Sequence, residues 1–240
     1  MSYPIVIPWL PSTGNLAAIA PLQTLAAAGA LTIVANVPNL PNSPYKFDRV
    51  ARAVSLTSAG DDSGVNFTIT GIGSAVDGDG NPTQVFGAIS EAIAGPNANT
   101  VSTTKIFTQV NSITTNAAVP EDVSAGFGTF GITDYVFLDY NRTMFQTSVQ
   151  LQFIARTALE ATVYQSLSKL ETPNLNGYLD QFEPTNALTI PGFAVSAELT
   201  AASTNQLGVL ASPVSVVWAT MTATAADSLY FTVLQQGLRS

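Results

Sequence analysis

A two-residue rhythm of apolar and small polar side chains constrains this chain more than any other feature. In residues 50–58, Val50, Arg52, Val54 and Leu56 alternate with Ala51, Ala53, Ser55 and Thr57. In 65–70, Val65, Phe67 and Ile69 alternate with Asn66, Thr68 and Thr70. Successive side chains of a strand point to opposite faces, so this is the period of a half-buried strand. The same grammar returns in TSVQLQFIA (147–155), EATVYQSLS (160–168), SVVWATMTA (215–223) and SLYFTVLQQ (228–236), and the Thr-rich STTKIFTQVNSITTN (102–116) is β-like. Turn-forming runs punctuate it: AGDDSG (59–64), VDGDGNP (76–82) and GPNANTV (95–101).

Many short strands and no long amphipathic helix imply an all-β fold, expected as two antiparallel β-sandwich-like domains with an extended N-terminal arm. AGDDSG is expected to join its flanking strands as a hairpin, and 215–236 to form a closing hairpin. Glycines at 126, 128 and 131 suggest a bend or a crossing between sheets. The expected division is an arm and linker over 1–45, a first sandwich over 46–130 and a second over 131–240. Two segments stay ambiguous. Residues 22–38 mix helix-favouring Ala and Leu with Gly29 and the β-branched Ile33-Val34, which favour strands on either side of a turn. In 83–95, Val85, Ile89 and Ile93 fit a short helix as well as a strand.

The leading MSYPIVIPWLPSTGN carries prolines at 4, 8 and 11. Proline fixes φ and lacks an N–H, so this reads as an extended arm and not as a helix or central strand. Its apolar side chains need a groove in this fold or in a neighbouring subunit. Ile5, Ile7, Trp9 and Leu10 are the candidate partner-binding residues, with Trp9 the anchor, because buried Trp dominates interface energies. Trp218, inside an alternating strand, reads as core.

Composition narrows the function. Charged residues make up only 10% of the 240, against roughly 25% in ordinary soluble proteins. A surface that poor in charge suits a protein packed against neighbours. The net charge of −8 and the scatter of the eight bases argue against a nucleic-acid partner. With no histidine and no cysteine, the Ser-His-Asp and Cys-His pairs and the usual zinc ligands are absent. The apolar stretch 16–35 is interrupted by Pro21, Gln23, Thr24, Gly29 and Thr32 and lacks flanking bases, so no membrane span is expected.

Carboxylate chemistry stays open. Asp61-Asp62 has a sufficient explanation as turn residues. Asp77, Asp79 and Asn81 have the spacing that begins a calcium loop, but its sixth and twelfth positions hold Pro82 and Ala88 instead of Gly and a bidentate acid. Glu121-Asp122, Asp134 and Asp139 lie in or beside turns, the last two near Tyr135, Phe137 and Tyr140. Two of these acids at glycosidase separation would make a glycan-cleaving module, whereas the aromatics also read as core. No catalytic residue, metal or cofactor is expected.

RAVSLTSAGDDSGVNFTITG (52–71), GPNANTVSTTKIFTQVNSI (95–113) and SPVSVVWATMTATAADSLYFTVLQQG (212–237) together resemble virion structural proteins of tailed bacteriophages, and SVQLQFIARTALEATVYQSL (148–167) fits loosely. The resemblance spans 46–240 and brings no catalytic residues. It implies a non-enzymatic virion structural protein, assembled in the host cytoplasm. The scarce charge and the apolar arm suit one that decorates or cements the capsid by binding between major capsid protein subunits, as a trimer or dimer. A tail, neck or fibre-attachment part is the alternative, and a carbohydrate-binding or carboxylate-dependent glycan-cleaving module is a second.

Overall fold

The computed structural model describes residues 4–9, 15–34, 44–47, 49–76, 86–133, 136–138, 146–155, 159–166, 193–195, 199, 203–210, 216–222 and 228–236. Within them run β1 (Ile5–Trp9), β2 (Asn15–Leu25), β3 (Tyr45–Lys46), β4 (Val50–Ser58), β5 (Asn66–Ser74), β6 (Gly87–Ala94), β7 (Thr100–Thr115), β8 (Val119–Phe127), β9 (Gly131–Thr133), β10 (Val136–Phe137), β11 (Gln146–Ala155), β12 (Glu160–Ser166), β13 (Phe193–Val195), β14 (Gln206–Leu210), β15 (Val216–Thr222) and β16 (Ser228–Gln236). The fold is all-β and the paired strands are antiparallel. The described residues fall into two compact units: 15–128, and 4–9 with 129–236.

In the first unit β2 pairs with β8, β8 with β4, β4 with β7, β7 with β5 and β5 with β6. The long β7 serves two layers. Its first half lies beside β4, and its second half lies between β5 and a discontinuous neighbour made of β3 and the 29–31 segment. The change occurs at a bulge opposite Ala53–Ser55. Bulges free backbone donors and bend the strand, and here side chains partner several of the freed groups. The Thr103 hydroxyl accepts from the Val54 N–H (3.0 Å) and donates to the Lys105 carbonyl (2.7 Å). The Glu91 carboxylate accepts from the N–H groups of Thr104 and Lys105, each at 2.8 Å. Lys105 Nζ donates back to the Ser90 carbonyl at 2.7 Å.

One core fills the space between these layers: Ile19 and Ala20 of β2, Val54 and Leu56 of β4, Phe67 and Ile69 of β5, Phe107, Val110 and Ile113 of β7, and Val119, Val123 and Ala125 of β8. β5 approaches β7 closely beyond Thr70. A Cβ on Gly71 would collide with the carbonyl oxygen of Gln109, and one on Gly73 with that of Ile106. The register shifts at both glycines.

The second unit holds two sheets. One has the order β1-β16-β11-β14. Its buried row is Ile7, then Leu229, Phe231 and Val233, then Thr147, Val149 and Leu151. In the other, β15 pairs with β12 on one side and with β9 and β10 in succession on the other, and β13 extends β12. Val163, Val217, Trp218, Ala219, Met221 and Ile132 are buried there. Trp218 stacks on its register partner Tyr164, with centroids 5.7 Å apart and planes 12° from parallel.

The pairing departs from the hairpin expectation. β4 and β5 flank AGDDSG but do not pair with each other; β7 runs between them. β15 and β16 lie in different sheets, as do β11 and β12. The β4–β5 connection thus skips over β7, and the other two pairs of neighbours are split between sheets. A short turn permits either outcome, because alternation fixes which face is buried and not which strand lies alongside. Residues 87–94 form strand β6. The 22–38 segment leaves β2 at Leu25, bends at 26–28, and meets β7 through an Ala30–Thr114 bridge.

The expected separate arm over 1–45 is not how the described part of that segment is arranged. Residues 5–9 are strand β1 on β16, and 15–25 are strand β2 on β8. Among the described residues each has one strand partner, and an edge strand tolerates proline where its missing N–H faces away from the ladder. Pro8 and Pro21 sit in them accordingly. No helix among the described residues is long and apolar enough to cross a membrane.

Candidate interaction surface

The four-stranded sheet of the second unit is the most unusual surface of the described chain. Its strands read IVIPW, QTSVQLQFIA, QLGVL and SLYFTVLQQ, without one Asp, Glu, Lys or Arg. One face is the buried row above. The registers place Val6 opposite Thr232, Thr232 opposite Gln150 and Gln150 opposite Leu207 on the other face. A second row runs Leu234, Ser148, Val209. Leu207 is 71% exposed, Ile154 55%, Val209 43% and Val6 42%. Scattered surface aliphatics are ordinary, but several on one sheet face with no charge among them mark a contact surface.

Of the four arm residues named from sequence, Ile7 is wholly buried within its own unit, in the row with Phe231, while Ile5 is 38% exposed. The backbone of Trp9 pairs with Leu229. Leu10 and the Trp9 side chain lie outside the described residues. Val6, one residue out of phase with the isoleucine and tryptophan positions of β1, is exposed as well, at 42%. Leu207, Val209 and Ile154 escaped the sequence reading. Each charge-free run was visible in the sequence, but their convergence in one sheet was not.

The acids sort differently. Asp61 and Asp62 face opposite ways. Asp61 is exposed, and its Oδ1 accepts from the N–H (3.0 Å) and hydroxyl (2.7 Å) of Ser63. Those bonds, the hydroxyl's first, hold its carboxyl below the usual carboxylate range. Asp62 is 1% exposed. Its Oδ1 accepts a long bond (3.4 Å) from the Glu121 N–H, and its Oδ2 has no partner. Backbone bonds lock the 60–65 and 95–99 loops together: the Asp62 N–H donates to Pro96 O, the Ala98 N–H to Gly60 O and the Gly95 N–H to Val65 O. Gly60 has room for no side chain because that of Glu121 lies against it. This is an organised turn with one buried acid. Among the described residues no three His, Cys, Asp or Glu side chains gather as a metal site. Asp77, Asp79, Asn81, Asp134 and Asp139 lie outside the described residues, as do Tyr135 and Tyr140.

Arg52, one of three bases close together in sequence, is buried on β4. Its Nη1 donates to the Gly128 carbonyl at 3.1 Å, and its guanidinium lies 4.8 Å from the centre of the Phe127 ring. Phe47 packs edge to face and Tyr45 tilted against that ring, and the two pack edge to face on each other. Burial lowers the Arg52 pKa to about 10, partly opposed by Tyr45, and burial raises that of Tyr45. Arg52 thus anchors the end of β8 and contributes nothing to a basic surface. In comparisons with protein-family models, curated proteins and solved structures, nothing matches this chain.

Proposed function

We propose that this chain is a structural virion protein of a tailed phage, which decorates or cements the capsid by packing between major capsid protein subunits. The charge-free outward face of the β1-β16-β11-β14 sheet is its contact surface. That face is the single observation that carries the reading. Charged residues are depleted at the centre of protein interfaces, and a chain of net charge −8 that keeps one whole sheet neutral has kept a place for contact. Binding of many copies to the assembled shell in preference to its free parts stabilises the shell by mass action. The resemblance of 52–71, 95–113 and 212–237 to phage virion proteins supplies the particle.

The test is location and copy number in purified particles by cryo-electron microscopy. Many copies spread over the shell, with this sheet face against a neighbour, are expected. Copies confined to the tail, or absence from particles, would overturn the capsid role. A charge on the contact face, Ile154→Glu, is expected to lower incorporation while leaving the fold intact, since Ile154 is exposed.

A further inference from the structure

The two edges of the four-stranded sheet are not alike. At one edge, β1 contains Pro8 and is preceded by Pro4, and these residues have no N–H to offer an incoming strand. Such prolines are a common protection of sheet edges. At the other edge stands β14, Gln206–Leu210, which pairs among the described residues with β11 alone. It carries neither proline nor charge, and it displays Leu207 and Val209 outward. An extended apolar edge without such protection is a template for another strand.

We infer that β14 pairs with β14 of a second copy, antiparallel across a two-fold axis at Gly208, joining two four-stranded sheets into one of eight strands. This deepens the seam-filling reading by naming a partner for one edge of the same sheet. Charge and symmetry argue for a second copy. Two molecules of charge −8 repel, but β14 and the three strands beside it carry no charge, so here the copies meet without like charges opposed.

The strand is also self-complementary. With Gly208 facing Gly208, Leu207 of each copy lies opposite Val209 of the other, an aliphatic cross-strand pair formed twice. Gly208 belongs to the buried side of β14, so no side chain crowds the axis there. The outward row Val6, Thr232, Gln150, Leu207 then continues into Val209, Ser148 and Leu234 of the other copy. The result is one neutral face twice as wide.

The experiment is analytical ultracentrifugation of the full chain, with charge exchange at the edge. The wild type is expected to sediment as a dimer. Leu207→Lys/Val209→Lys places lysines opposite each other and should weaken dimerisation at least about tenfold, as should Leu207→Glu/Val209→Glu. Mixing the two variants should restore a dimer containing one of each. Both positions are solvent-exposed in the monomer, so neither variant threatens the fold. A wild-type monomer, a wild-type trimer, or variants that self-associate like the wild type would each overturn the inference. So would dissociation by Ile154→Glu with no effect of the edge charges, which would mean face-to-face stacking. Dimerisation in solution and incorporation into particles are scored separately: a monomer that still enters particles sinks this inference alone, and a dimer found outside particles sinks the virion reading alone.

Discussion

At the residue scale, the stretch AGDDSG shows how two identical neighbours take different roles. Asp61 holds its turn through Ser63, so its carboxyl titrates low. Removing the larger cause, with Ser63→Ala, is expected to move the Asp61 titration upward in a carboxyl NMR experiment. The sign for stability follows: with the folded value below the unfolded one, the contribution of Asp61 is complete above the ordinary carboxylate range and fades as pH falls through the folded value. Asp62 differs in its surroundings: it is buried, with one orphaned oxygen. A neutral amide is less costly to bury than a charge, and Asn retains an acceptor for the Glu121 N–H. Asp62→Asn is therefore expected to melt above the wild type in calorimetry, and Asp62→Ala below Asp62→Asn. Sequence could identify the turn, because Asp and Gly carry turn chemistry locally. It could not foresee the burial of Asp62, which depends on the 95–99 loop and on β8.

At the scale of elements, strands were legible and their partners were not. The alternation of 50–58, 65–70, 147–155, 215–223 and 228–236 corresponds to β4, β5, β11, β15 and β16. The hairpins read between neighbours did not form because the strand beside each one comes from elsewhere in the chain: β7 lies between β4 and β5, and β15 and β16 belong to different sheets. β7 shows the cost of changing layers. Its bulge is held by Glu91 and Thr103, so Glu91→Ala leaves two backbone donors without their acceptor. A loss of about 1–3 kcal/mol is expected in denaturant unfolding, with Glu91→Gln intermediate. Ile7 makes the same point for β1. Burial inside its own sheet means that Ile7→Ala should cost about 2–4 kcal/mol of stability in the second unit. A partner-facing Ile7 would leave the isolated chain unaffected.

For the whole molecule, the two units draw on the chain differently. The core of the first lies wholly within 14–128, so that fragment is expected to fold alone and to keep the slow amide exchange of β4, β5 and β7. The second needs both ends of the described chain, because β1 and β16 pair over five positions. Deleting residues 1–13 should therefore unfold the second unit at lower temperature and leave the exchange pattern of the first unchanged. The sequence by itself determined the all-β class, the positions of most strands and the scarcity of charge. Each of these is written in nearest neighbours or in composition, which the chain carries before it folds. Only the tertiary structure decided which strands lie side by side, which aspartate is buried, and that four neutral strands from distant parts of the chain share one sheet. Those outcomes rest on contacts between residues up to two hundred or more positions apart, such as Ile5 with Val233, and no local pattern specifies them.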